Sequence, residues 1–267
     1  MHLCQNIKNE GYGGRIRVLL HGCNGHMGRA VSEIVGNEDT MEIVAGVDPY
    51  TGVDNVYPVF ESIDKCDVEA DVVIDFSSAS AVDGLLDYCE SKKLPVVLCS
   101  TGLSDEQQIR ANEISENTAV LRSGNMSLGI NTLVDVLNKA AKIFADAGFD
   151  IEIVEKHHNR KLDAPSGTAL MLADAANDAA GGDYEYVYDR HDRREKRPKK
   201  EIGISAVRGG TIVGDHDVIF AGEDEVITFS HRAYSRSVFA KGAVEAAKFL
   251  AYRQSGMYDM SDVIAAK

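Results

Sequence analysis

Apolar and polar positions along this chain switch between a two-residue and a three-to-four-residue period, and the switches mark its elements. Ile16-Arg17-Val18-Leu19-Leu20 is a short run of strand formers ending at the turn-prone Gly22-Cys23-Asn24-Gly25. Met27, Val31, Ile34 and Val35 then recur at helical spacing until Gly36-Asn37, and Glu42 to Val47 forms the next apolar run, closed by Asp48. The spacing predicts a β-α-β unit. The alternation continues with a strand over Asp71 to Phe76, a helix over Ala79 to Lys92 and a strand over Pro95 to Leu98. A helix near Asp105 to Glu116 and a strand over Ala119 to Leu121 follow. Near-continuous apolar strands separated by amphipathic helices call for a parallel sheet covered on both faces.

The order changes after Asn125. One long helix (about Gly129 to Ala147), a strand (Ile151 to Val154) and a helix (about Gly167 to Ala180) precede strand-like runs at Ile202 to Val207, Thr211 to Val213, Asp217 to Phe220 and Glu225 to Ser230. Strands joined by short loops imply a mixed, largely antiparallel sheet. The expected fold is therefore α/β: an N-terminal doubly wound, Rossmann-like domain over residues 15–127, then a C-terminal α+β domain over 128–237. An Ala-rich helix from Arg236 to Arg253 is long enough to pack back, so residues 238–267 are expected to complete the first domain. Residues 1–14 are polar and lack an apolar period, which reads as a flexible extension.

Composition narrows the function. Lys and Arg number 28 against 42 Asp and Glu, a net charge of −14 that repels nucleic-acid phosphates and anionic lipid headgroups. No nucleic acid and no membrane are expected as partners. Apolar stretches reach only about seven residues against the roughly 20 needed to span a bilayer, and no basic-then-apolar leader opens the chain, so a cytoplasmic location is expected. Cys4, Cys23, Cys66, Cys89 and Cys99 form no C-x-x-C pair, and reduced structural thiols are the expectation. Between Arg190 and Lys200 seven basic residues reverse the acidic balance, as either a solvated loop or a basic flap drawing an anionic ligand toward a site.

Gly22-Cys23-Asn24-Gly25-His26-Met27-Gly28 lies between the first strand and first helix, with glycines at relative positions 1, 4 and 7. Small residues let the backbone approach diphosphate oxygens, and the free N–H groups and dipole of the helix start favour the negative charge. Asn24 stands where G-x-G-x-x-G has its middle glycine, and Asn tolerates left-handed backbone better than most residues. Asp48 falls 20 residues after Gly28 at a strand end, placed to accept both ribose hydroxyls of an adenosine. A 2′-phosphate would meet like charge there; Pro49 follows rather than Arg, with His26 the local cation. The reading is a nicotinamide dinucleotide site for NADH and/or NADPH, with NADH accepted.

The second chemical segment is Glu155-Lys156-His157-His158-Asn159-Arg160-Lys161-Leu162-Asp163-Ala164-Pro165-Ser166-Gly167-Thr168-Ala169, between a strand and a helix. Ser166, Gly167 and Thr168 offer hydroxyls and unpaired N–H groups at a helix start, a ready carboxylate site, and two histidines and a lysine add donors. Together they describe a pocket for a small dicarboxylate. Adjacent histidines point in different directions and no H-E-x-x-H appears, so no metal is expected. Beside a nucleotide turn, such a segment suits a hydride-transfer enzyme, which must also bind and protonate its substrate.

This segment resembles the signature E-x-H-H-x-x-K-x-D-A-P-S-G-T-A of the dihydrodipicolinate reductase (4-hydroxy-tetrahydrodipicolinate reductase) family of diaminopimelate and lysine biosynthesis, and every fixed position is met. The likeness extends to the Gly22–Gly28 turn, to Ser100-Thr101-Gly102 as a nicotinamide-side loop and to Asn125-Met126-Ser127 as a hinge loop. It also takes in Arg208-Gly209-Gly210, Gly214-Asp215-His216, His231-Arg232-Ala233, Gly242-Ala243 and Gly256 to Met260. Departures are His26 where many members carry Arg, Pro49 beside the acidic residue, and Cys99 where Gly is common. The resemblance implies an NAD(P)H-dependent reduction of a cyclic dicarboxylate imine in a homotetramer built through the second sheet. It implies His157 as the acid completing the reduction, Lys161 as a catalytic donor that also binds substrate, and His158, Ser166, Gly167 and Thr168 on the substrate carboxylates. The implied dinucleotide residues are Gly22, Cys23, Asn24, Gly25, His26, Met27, Asp48, Cys99, Ser100, Thr101, Ser123, Gly124, Asn125 and Met126. Two other readings compete: another two-domain NAD(P)-dependent dehydrogenase, such as an aspartate semialdehyde type requiring a nucleophilic cysteine, or a dinucleotide-sensing regulator.

Overall fold

The structure, a computed structural model, describes residues 14–267; most of the expected N-terminal extension (1–13) lies outside them. Seven strands form one sheet: β1 (Ile16–His21), β2 (Met41–Val47), β3 (Val59–Phe60), β4 (Val72–Asp75), β5 (Val96–Leu98), β6 (Ala119–Leu121) and β12 (Gly256–Tyr258). All its pairings are parallel, in the order β12-β6-β5-β4-β1-β2-β3. Consecutive residues of each strand enter opposite cores. Val18 and Leu20 pack with α1 (His26–Gly36) and α6 (Ser237–Leu250), while Leu19 packs with α2 (Ala79–Lys92) and α3 (Asp105–Ser115). This two-faced burial is why these strands read as continuous apolar runs rather than as an alternation. Burying each large side chain contributes about 1.5–3 kcal/mol. The winding runs outward from β1 in one direction through β2 and β3 and then in the other from β4 onward, so the carboxyl ends of β1 and β4 frame the switch point where open α/β sheets bind ligands.

The second sheet has the order β11-β10-β7-β9-β8, from β7 (Asp150–His157), β8 (Glu185–Val187), β9 (Glu201–Arg208), β10 (Gly214–Ala221) and β11 (Val226–Ala233). The sheet is mixed, with β10 antiparallel to β7 and β11, and β9 parallel to β7 and β8. The helices α4 (Leu128–Asp146) and α5 (Gly167–Ala179) cover one face. The run Thr211 to Val213 is a turn and loop, not the expected strand: Gly209-Gly210 breaks the chain after β9, and pairing resumes only at Gly214 opposite Ala233. The last helix stops at Leu250, and the following turn leads into β12, which pairs with β6 at the edge of the first sheet; α7 (Met260–Ala265) ends the chain.

Alternation along β7 builds the site. Ile151, Ile153, Glu155 and His157 share the buried face, apolar at the entry of the strand and ionisable at its exit. In β10 the same face carries His216, Val218 and Phe220. One continuous surface under α4 and α5 thus passes from hydrocarbon core to a polar end pointing at the first domain.

Candidate functional site

At the turn after β1, a Cβ on Gly28 would lie 2.2 Å from the Gly22 carbonyl oxygen and 2.6 Å from that of Cys23, so the helix can start this close to the strand only with glycine. α1 has Gly25 as its N-cap and no side-chain cap, whereas Ser104, Ser127 and Ser166 cap α3, α4 and α5. The first intrahelical bond runs from Arg29 N–H to Gly25. The N–H groups of His26, Met27 and Gly28 are therefore left for an anion. Asp48, at the end of β2, accepts the Asn24 N–H on Oδ2 and the Tyr50 N–H on Oδ1, both at 3.0 Å. Asn24 is pinned by its own amide to Tyr50 O and by Asn55, and Cys23 is fully buried, so both serve the turn's shape. His26 shares a groove with Asn24, Arg29 and Ser237.

The neighbouring cleft, about 420 Å³, brings together Met27, Cys99, Ser100, Thr101, Ser123, Gly124, Asn125, Met126 and Thr168. Sequence positions from four connections and both sheets thus meet in one space. Phe76, Ser77, Arg236 and Phe239 line it as well and were not expected. Across the cleft the Asn125 amide donates to Thr168 Oγ1 at 2.9 Å, joining the loop after β6 to the start of α5. Beneath it the buried His21 ring holds Asp75 at 2.9 Å, and Ser77 N–H donates to the same carboxylate. Burial pushes the Asp75 carboxyl up, but the bonds from His21, Ser77 and Ser100 outweigh it and hold it below the usual range.

The segment after β7 converges beside this cleft. Glu155, fully buried, accepts from His157 Nδ1 at 2.6 Å and from Ser166 N–H at 3.0 Å, and its two oxygens take Arg208 Nη1 and Nη2 at 2.8 and 2.7 Å. Burial alone would raise its pKa, yet the Arg208 bonds, then His157 and Ser166, bring it below the ordinary carboxylate value. Lys161 Nζ pairs with Asp163 at 2.8 Å, and that contact depresses the Asp163 pKa. Burial, reinforced by Arg160, Arg236 and the neighbouring donors, lowers the pKa of His158. Gly167 and Thr168 sit at the start of α5, Gly167 exposed and Thr168 half-buried.

Ser166, expected on the substrate carboxylates, is engaged within the protein. It is buried, its hydroxyl accepts the Ala169 N–H at 3.1 Å, and it meets His216 Nε2 at 3.1 Å. His216 and His231 face each other in register across β10 and β11, and His231 Nε2 lies 3.4 Å from Ser127 Oγ, so each ring rests on the cap of a helix. Burial and the adjacent His157 push His216 down to about 4. Glu155, Arg208, His216 and His231 are the functional neighbourhood that the sequence left unassigned. The basic run is not a flap over an anion site: Arg190, Arg193 and Arg197 pair with Glu152, Glu201 and Asp150, at the ends of β7 and β9 opposite to His157 and Arg208. Buried Glu201 needs those cations, which is where the local charge reversal goes. No described thiol is activated: burial raises Cys23 to about 11 and Cys99 well above its ordinary value. Among the described residues no helix is long and apolar enough to cross a membrane.

A doubly wound sheet with an uncapped helix start at its switch point, joined through Asn125 and Thr168 to a second sheet that carries a loop of histidines and a lysine, fits a two-domain NAD(P)H-dependent oxidoreductase. Family comparison agrees. Residues 16–126 match the N-terminal domain of dihydrodipicolinate reductase and residues 129–264 its C-terminal domain. The 4-hydroxy-tetrahydrodipicolinate reductase of Caldanaerobacter subterraneus subsp. tengcongensis is 52% identical over 249 residues, 93% of this chain and 98% of that one. That of Clostridium novyi is 47% identical over 251 residues, 94% and 99% of the two chains. In fold, the chain is similar to a dipicolinate-bound dihydrodipicolinate reductase from Paenisporosarcina sp. TG-14, with a TM-score of 0.75 at 24% identity over 92% of this chain and 97% of that one. The chain belongs to the dihydrodipicolinate reductase family.

Proposed function

We propose that this chain reduces 4-hydroxy-tetrahydrodipicolinate (dihydrodipicolinate) to tetrahydrodipicolinate with NAD(P)H, in the diaminopimelate and lysine pathway. The observation that carries the reading is that Asn125, in the cleft lined by the expected dinucleotide residues, donates to Thr168 at the start of α5, the helix that follows the segment bearing His157, His158 and Lys161 and is tied to it by the Ser166 N–H on Glu155. The nicotinamide, when bound, supplies the hydride. His157 delivers the proton that completes the reduction, and Lys161 donates to the substrate from the same side. His158, the Gly167 N–H and Thr168 hold the carboxylates, aided by the positive end of α5. Lys161→Ala is expected to lower kcat/KM by about 100-fold or more, in the range of a lost general acid–base contribution. Near-normal kcat/KM would remove its role.

Asp48 supports use of NADH, because its carboxylate, fixed by two backbone N–H groups at the end of β2 beside the phosphate turn, would repel a 2′-phosphate held there. The assay couples synthase, pyruvate and aspartate semialdehyde to generate substrate, and follows oxidation of NADH and NADPH separately. Oxidation of both is expected, with kcat/KM for NADH at least equal to that for NADPH; oxidation of neither would refute the reaction. The four described thiols are free, which suits the cytoplasm as the proposed location. The second sheet's uncovered face supports assembly as a homotetramer.

A further inference from the structure

We propose that Glu155, locked by Arg208, is the positioning residue that fixes the proton donor's tautomer and ties it to the loop carrying Lys161. The inference deepens the reading of His157 as the acid and rests on it. A carboxylate is acceptor-only, and Glu155 spends both oxygens on donors: Arg208 on each, Ser166 N–H on one and the His157 ring on the other. His157 Nδ1 must therefore carry a hydrogen, which leaves Nε2 as the nitrogen that gains and loses the proton. Nε2 has no bond to a described side chain, and Gly214 gives the ring its space, since a Cβ there would come within 3.0 Å of it.

Arg208 extends the fixation. Besides its two bonds to Glu155, its Nη2 donates to the Asp163 carbonyl at 2.7 Å, and the Asp163 side chain holds Lys161 Nζ. One buried carboxylate thereby anchors His157 on β7 and, through Arg208 on β9, the loop bearing the second donor. The groups around His157 are Glu155 bonded to it on its own strand, Arg208 as its register partner on β9, His216 with its ring 5.1 Å away on β10, and His158 next along the chain. Glu155 is the only anion in direct contact with the ring among the described residues, so it sets which ring nitrogen is free.

Long-range 1H–15N spectra of the full-length protein with NADH, assigned with His157→Gln, test the tautomer without altering Glu155. Neutral His157 protonated on Nδ1 is expected, and a proton on Nε2 would overturn the proposal. In Glu155→Gln, kcat should fall roughly 10- to 100-fold, the range carried by outer hydrogen-bond partners of working histidines. NADH affinity should stay within about two-fold, and the His157 ring should lose its single Nδ1-protonated pattern in the 1H–15N spectra, because an amide can donate as well as accept. A fall in kcat with the tautomer unchanged in Glu155→Gln would reduce Glu155 to a structural role. If His157→Gln keeps near-normal kcat, the acid assignment itself fails, whatever the tautomer proves to be.

Discussion

Gly28 has the least room of the three glycines in the phosphate turn. A methyl group there would stand 2.2 Å from the Gly22 carbonyl oxygen, a contact only a shift of α1 away from β1 could relieve. Gly28→Ala should therefore cost about 1–3 kcal/mol of stability, the cost of overpacking, and weaken NADH binding at least about ten-fold by moving the N–H groups aimed at the diphosphate. Thermal melts and fluorescence titration with NADH check this, and unchanged affinity would show that the turn does not hold the phosphates. The importance of this glycine was legible because its reason is local: strand, turn and helix lie within a dozen residues. Glu155 was not legible in the same way. Its role appears only when β9 brings Arg208, 53 residues later, onto its carboxylate. His216 and His231 likewise acquire meaning from strand register, which no local pattern in one sequence reveals.

Among the elements, α5 runs from the cleft, where Thr168 lies, into the core of the second sheet, and Ser166 caps it. Its hydroxyl satisfies the Ala169 N–H and His216 together, in a site closed to solvent. Ser166→Ala should thus lower stability by about 1–2 kcal/mol, a melting shift of roughly 2–6 °C for a chain of this size, and raise the substrate KM less than about ten-fold. A normal melting temperature with a large rise in KM would instead make Ser166 a direct substrate ligand. Elements with a full period were readable, as were the three-residue β5 and β6, whose residues are all apolar and buried. The others were not: β3 spans two half-buried residues, and β8 and β12 three each with at most one buried, so no apolar run marks them. Thr211-Ile212-Val213 has strand composition, but the glycines on either side decide its backbone, and the arginines of residues 190–200 looked solvated until the carboxylates of β7 and β9 were seen beneath them.

At the scale of the molecule, the second sheet is covered on one side only. α4 and α5 bury its inner face, while the outer face carries half-buried Val154 and Ile219 on the central strands and exposed Val207 and Val226 at 46% and 62%. Its charges on that face, such as Lys156 with Asp217 and Arg232 with Asp215, are already paired within the chain. A sheet face whose scattered apolar residues lie among charges already paired gains by burial against a copy of itself, since a two-fold contact places like on like and removes that apolar area from water without creating unpaired ions. A tetramer built this way would also cover sheet edges that otherwise invite open-ended pairing. Light scattering should then give a mass near 116 kDa, four times 29.0 kDa. Because Val207 is exposed in the single chain, Val207→Asp should leave the fold within about 0.5 kcal/mol while placing a carboxylate in the contact, so the mass should drop with thermal stability falling only as far as assembly contributed. A wild-type mass near 29 kDa would remove the assembly, and an unchanged tetramer in the variant would move the interface off this face.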